Sequence, residues 1–85
     1  MASRTVTVGS SVGLHARPAA VIARAVGESG AAVTIATVGG DAVDAGSALL
    51  LMTLGAKHGD KVTVSSDDED VLDRVARLVE RDLDA

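Results

Sequence analysis

The residues best suited to chemistry lie in one short run, residues 13–20, GLHARPAA. Pro18 suits the first turn of a helix, where its missing N–H would have no partner anyway. If that helix begins near Ala16 or Arg17, its first backbone N–H groups, that of Ala16 among them, point outward without intrahelical partners. They also carry the positive end of the helix dipole, a ready place for an anion. A neutral imidazole at its lip, His15, is a nucleophile able to form a covalent phosphoryl adduct. Arg17 adds a forked, charged donor for phosphate oxygens. Both the helix end and Arg17 disfavour an imidazolium, which keeps the ring neutral and nucleophilic. Gly9 and Gly13 are read as leaving room around the site. No lysine-bearing phosphate loop occurs, so a nucleotide is not the obvious donor. From spacing alone, the plainer reading has the stronger claim: a surface loop histidine ahead of an ordinary helix start.

Other polar clusters have simpler roles. His58 lies in AKHGD, residues 56–60, and reads as a turn residue beside the solvated charges Lys57 and Asp60. Two histidines and no cysteine argue against a dedicated zinc site. DDED, residues 67–70, lacks the glycine and the twelfth-position glutamate of a calcium loop. Ser66 and Glu69 have capping-box spacing, so the acidic run reads as a helix start. No metal and no cofactor is called for.

The elements that must position these groups follow from periodicity. Residues 4–8, RTVTV, alternate strictly, with Val6 and Val8 on one face. A helix is predicted from Pro18 to about Val26, with Ala19, Ile22 and Val26 at helical spacing and glycine in GESG ending it. Residues 31–38 alternate again, Gly39-Gly40 signals a hairpin, and 41–45 continue as a short strand. Residues 46–55, GSALLLMTLG, predict a short helix opened by Ser47 as a cap and closed by Gly55. Residues 61–65 predict a strand with Val62 and Val64 inward. A final helix then places Val71, Val75, Leu78, Val79 and Leu83 on one face, with an Arg74–Asp70 pair. The order is β-α-β-β-α-β-α. Strands with one polar face need cover on the other face only, so the fold class is α+β, an antiparallel sheet with helices on one side.

The short helix is too apolar to bury everything it carries. Leu51 and Leu54 can face the core together, but Leu49, Leu50 and Met52 cannot all follow. An exposed apolar cluster of this kind marks an interaction site. Methionine and leucine adapt to several partners.

Composition bounds the rest. Eighty-five residues suffice for one domain, 1–85, and the core must be Val, Leu, Ile and Ala, because Phe, Trp and Tyr are absent. That removes aromatic base-stacking platforms, and a net charge of −4 disfavours nucleic acid. The absence of cysteine excludes disulfides and cysteine catalysis. The start MASRTVTV lacks the apolar stretch of a signal peptide, and no run approaches the ~20 residues that span a bilayer. The expectation is a cytoplasmic domain without membrane insertion.

GLHARPAA followed by GSALLLMTLG resembles the HPr family, the histidine-containing phosphocarriers of the bacterial phosphoenolpyruvate:sugar phosphotransferase system. The resemblance spans essentially the whole chain. It implies an open-faced β-sandwich of four antiparallel strands and three helices. It also implies that enzyme I phosphorylates His15 on Nδ1, that Arg17 assists, and that His15 then serves the IIA component of a sugar permease. Such a carrier holds a transient phosphohistidine and is not a stand-alone catalyst. The resemblance further sets the short helix beside the histidine, where partners dock. Ala20, Arg24, Ala48, Leu49, Leu50 and Met52 are the expected docking residues, with Arg24 a positive rim or a plain solvated charge. Ser47 matches a serine phosphorylated by an ATP-dependent kinase in many Gram-positive members, but Gly46 stands where a lysine usually precedes it, and helix capping explains Ser47 equally well. A monomer is expected of a shuttle. The alternatives are a regulatory binding module of the same fold, a carrier in a nitrogen-linked relay, and an unrelated ligand-binding α+β domain.

Overall fold

The computed structural model describes residues 2–11, 13, 14 and 16–81. Four strands, β1 (Ala2–Thr7), β2 (Val33–Thr37), β3 (Val43–Asp44) and β4 (Lys61–Ser66), form one antiparallel sheet in the order β1-β4-β2-β3. The register places Val6 opposite Val62, Ile35 opposite Val64 and Val33 opposite Ser66. All six are buried. Partners across a ladder share a face, so these residues line the covered side. Thr5 and Thr63 pair on the open side with their hydroxyls 3.1 Å apart. The helices are α1 (Ala16–Ser29), α2 (Ala48–Thr53) and α3 (Glu69–Glu80). α1 packs against both α2 and α3, and α3 lies over β1 and β4. Ile22, Leu51, Val75 and Val79 from the helices meet Ile35, Val62 and Val64 of the sheet in one aliphatic core. The α+β class, the element order and the open, single-layer cover agree with the sequence reading.

Several local expectations need correction. β1 starts at Ala2 and ends at Thr7; Val8 is fully buried, and its backbone bonds Asp60 and Gly59 at 2.8 and 3.0 Å. α1 starts at Ala16 and continues past Val26 with Gly27 inside it; the left-handed Gly30 (φ 70°) follows its end. The Gly39 turn closes through Gly40 N–H donating to Thr37 at 2.9 Å, but β3 shrinks to two residues because the Asp44 carboxylate turns back to accept from Gly46 N–H at 2.8 Å.

α3 is capped by Asp68, not Ser66. The Asp68 carboxylate accepts from Asp70 and Val71 N–H at 3.0 and 3.2 Å. Ser66 is wholly buried at the end of β4, where its hydroxyl donates to the Ala32 carbonyl at 2.9 Å and accepts from Asp68 N–H at 3.2 Å. The buried face of α3 is Leu72, Val75, Ala76 and Val79, with Val71 and Leu78 half-buried beside it. Contact with both the sheet and α1 rotates that face from the expected one. Leu83 lies outside the described residues. Arg74 and Asp70 do not pair. Asp73 takes Arg77 at 3.1 Å and also Arg4, whose position opposite Val64 puts it on the covered side of edge strand β1. A charge pointing inward from an edge strand also discourages pairing with another chain.

Candidate functional site

The start of α1 combines a rigid inner wall with an open outer one. Pro18 and Ala19 are fully buried, while Ala16 and Arg17 are exposed. No acidic residue stands in the first turn, so no carboxylate on the helix cancels its positive end. Arg17 forms no ion pair among the described residues, leaving its guanidinium available to an anion. His15, the expected acceptor, lies outside the described residues.

The segment leading to α1 is held from below. Gly13 N–H donates to Ser10 O and Leu14 N–H to Ala56 O, both at 3.0 Å, and the Leu14 side chain is buried. The two glycines do not serve to leave room at the site. A Cβ on Gly9 would lie 1.7 Å from the Glu80 carbonyl oxygen, at the end of α3. A Cβ on Gly13, at φ 78°, would lie 2.4 Å from the Ala56 carbonyl oxygen. Each lets the loop backbone touch a neighbouring backbone.

α2 presents the surface expected of it. Leu51 is fully buried and Leu54 packs against the core, whereas Leu49, Leu50 and Met52 are exposed. Ala48 is half-buried. Ser47 is the N-cap, its hydroxyl accepting from Leu50 N–H at 3.3 Å. Gly46 is tightly placed: a Cβ there would come within 3.1 Å of the Asp44 carboxylate. On α1, Ala20 and Arg24 are exposed, and Arg24 makes a loose 3.7 Å pair with Glu28. Exposed Val21 belongs with them, since 17, 20, 21 and 24 share a helix face. Sequence reasoning missed Val21, although its i+4 spacing from Arg17 was a usable signal.

Lys57 and Asp60 are more than solvated charges. The Asp60 carboxylate accepts from Lys57 N–H at 2.9 Å, and Asp60 N–H returns a bond to the Lys57 carbonyl at 2.9 Å. His58 sits in this turn as expected, with Nδ1 3.2 Å from the Ser10 carbonyl oxygen.

Residues 2–81 match the family model described as "PTS HPr component phosphorylation site". The chain belongs to the HPr family. It is 44% identical to phosphocarrier protein HPr of Streptomyces coelicolor over 87 residues, covering 99% of this chain and 94% of that one. To phosphocarrier protein HPr of Haemophilus influenzae it is 37% identical, covering 93% and 92%. Among solved structures, HPr-C-His from Thermoanaerobacter tengcongensis superposes with a TM-score of 0.88 at 26% identity, covering 100% and 98% of the two chains. A phosphocarrier protein HPr from Bacillus anthracis gives 0.84 at 28% identity, covering 92% and 95%. The HPr resemblance read from residues 13–20 and 46–55 therefore holds over nearly the whole chain. No helix among the described residues of this HPr-family chain is long and apolar enough to cross a membrane.

Proposed function

We propose that this chain is a single-domain cytoplasmic phosphocarrier that takes a phosphoryl group on His15 from phosphorylated enzyme I and hands it to IIA components of sugar permeases. In the uptake step His15 Nδ1 attacks phosphorus. A P–N bond forms as the bond to the donor breaks, and its electron pair leaves with the donor. The N–H groups of Ala16 and Arg17, with the Arg17 guanidinium, face the charge that builds on the phosphoryl oxygens. The observation that carries the reading is an α1 start with no acidic residue in its first turn and an Arg17 that forms no ion pair among the described residues, in a chain matched by a phosphorylation-site family model. The other histidine supports it: His58 has Nδ1 engaged with the Ser10 carbonyl. Partners dock, one at a time on a monomer, over Ala20, Arg24, Ala48, Leu49, Leu50 and Met52. Ser47 acts first as a cap; a phosphate added there by a serine kinase would put about −1.5 to −2 charges at the edge of that surface.

The test is incubation with phosphoenolpyruvate and enzyme I followed by intact mass. One acid-labile phosphoryl group is expected, lost in His15→Ala. Arg17→Ala should slow uptake by the worth of one charge-assisted bond, about 1.5–3 kcal/mol or roughly tenfold to a hundredfold. A phosphorylated His15→Ala variant would move the acceptor elsewhere, and wild-type rates for Arg17→Ala would make Arg17 a plain surface charge.

A further inference from the structure

The turn at 56–60 touches the loop before His15 at more places than its own closure needs. Val8 N–H donates to the Asp60 carbonyl at 2.8 Å, and Gly59 N–H donates to the Val8 carbonyl at 3.0 Å. Leu14 N–H donates to the Ala56 carbonyl at 3.0 Å. Gly13 lies against the backbone of Ala56 and Lys57 so closely that no Cβ fits. Between these two ends of the loop, the His58 ring reaches the Ser10 carbonyl, 3.2 Å away. Ser10 also accepts from Gly13 N–H, so its carbonyl joins the ring of His58 to the residue two before His15. The turn itself is closed by the paired Lys57–Asp60 bonds and enters directly from α2 through left-handed Gly55.

We propose that His58 is a positioning residue for phosphoryl transfer: through Ser10 it fixes the loop that presents His15 to an incoming phosphoryl donor. The inference rests on His15 being the acceptor. A carbonyl oxygen only accepts, so the proton of this bond sits on His58 Nδ1. In the neutral ring that leaves Nε2 as the bare nitrogen and selects one tautomer. Main-chain bonds set the two ends of the loop, at Val8 and Leu14. Gly9 N–H also bonds the Val79 carbonyl, and His58 adds a side-chain tie farther along the loop, at the Ser10 carbonyl. Transfer depends on a reacting nitrogen held in line with phosphorus, and small displacements of such a group are costly in rate. His58 is not among the residues proposed to dock partners. Its removal should therefore change turnover and leave docking alone.

The experiment compares wild type, His58→Leu and His58→Gln, with His15→Ala alongside. Phosphoryl uptake from phosphorylated enzyme I is followed at varied carrier concentration. His58→Leu should lower kcat by about threefold to tenfold, the weight of one ordinary hydrogen bond, with KM unchanged. His58→Gln keeps a side-chain N–H donor and should recover most of the rate. Ring nitrogen NMR of the neutral wild-type protein should show the proton of His58 on Nδ1. Amide exchange at Ser10, Gly13 and Leu14 should quicken in His58→Leu and return in His58→Gln. A proton on Nε2 in wild type, or unaltered kcat and loop exchange in His58→Leu, overturns the proposal, as does a change confined to KM. If His15→Ala still accepts phosphate, the acceptor assignment fails, while the tautomer and exchange results still decide whether the clamp exists.

Discussion

Neighbouring leucines on α2 should respond to substitution in opposite ways. Leu51 has no exposed surface, whereas Leu49 is 68% exposed. Removing a buried leucine side chain costs about 2–5 kcal/mol, because the lost transfer energy is joined by a cavity. An 85-residue domain has a total stability of about 4–13 kcal/mol, so Leu51→Ala removes a large share of it. At roughly 4–8 °C per kcal/mol, Tm should fall by about 10 °C or more. Leu49 has about a third of a leucine's burial to lose, about 0.5–1 kcal/mol. In Leu49→Asp, the new carboxylate stands in the first turn of α2, where the helix dipole favours it and offsets part of that loss. If partners cover this face, the same carboxylate is desolvated on docking, and affinity for enzyme I should fall by about tenfold or more. Thermal melts by circular dichroism and titration calorimetry against enzyme I measure the two effects separately. A large drop in Tm for Leu49→Asp with unchanged affinity would refute the docking argument, and so would a Leu51→Ala melt equal to wild type.

Gly9→Ala should destabilise the protein by about 1–3 kcal/mol, because the added Cβ displaces the last turn of α3 and strains the 3.0 Å bond from Gly9 N–H to Val79; a denaturant midpoint measures the loss. Ser66→Ala should cost about 0.5–1.5 kcal/mol by removing the 2.9 Å bond from its buried hydroxyl to the Ala32 carbonyl, and melting Ser66→Ala beside Asp68→Ala separates that bond from the α3 cap. The third prediction concerns acid. The hydrogen bond from Arg4 holds the Asp73 carboxyl below its ordinary value of 3.8; desolvation opposes this, and the charges of Arg77 and Arg4 add to it. A carboxyl depressed in the folded state stabilises the fold above the unfolded pKa and loses that effect as pH falls through the folded one. The Asp73 contribution should thus be complete above about pH 4 and fade below it. In Arg4→Ala the Asp73 carboxyl should titrate closer to 3.8 and the acid slope of stability should flatten, which carboxyl NMR and acid titration both read.

Local signals made much of this protein legible from its chain. Strict alternation in residues 4–8 and 61–65 marks half-buried strands, and a proline after His-Ala-Arg marks a helix start. These patterns depend on backbone geometry within a few residues. The surplus of large apolar side chains in residues 48–52 likewise announced an exposed surface, because six helical residues offer only one inward stripe. The candidate acceptor and its arginine were legible because they adjoin in sequence. Tertiary structure decided what depends on distant partners. Ser66 and Asp68 are both good caps on propensity, and Asp68 holds the position because the Ser66 hydroxyl is drawn to the carbonyl of Ala32, 34 residues away. α3 turned Leu72 and Ala76 inward because α1 and the sheet both press on it. Gly9 and Gly13 acquire their roles from Glu80 and Ala56, and His58 its role from Ser10, 48 residues away. Each of these contacts exists only once the sheet has brought remote segments together, and no periodicity within a single segment records it.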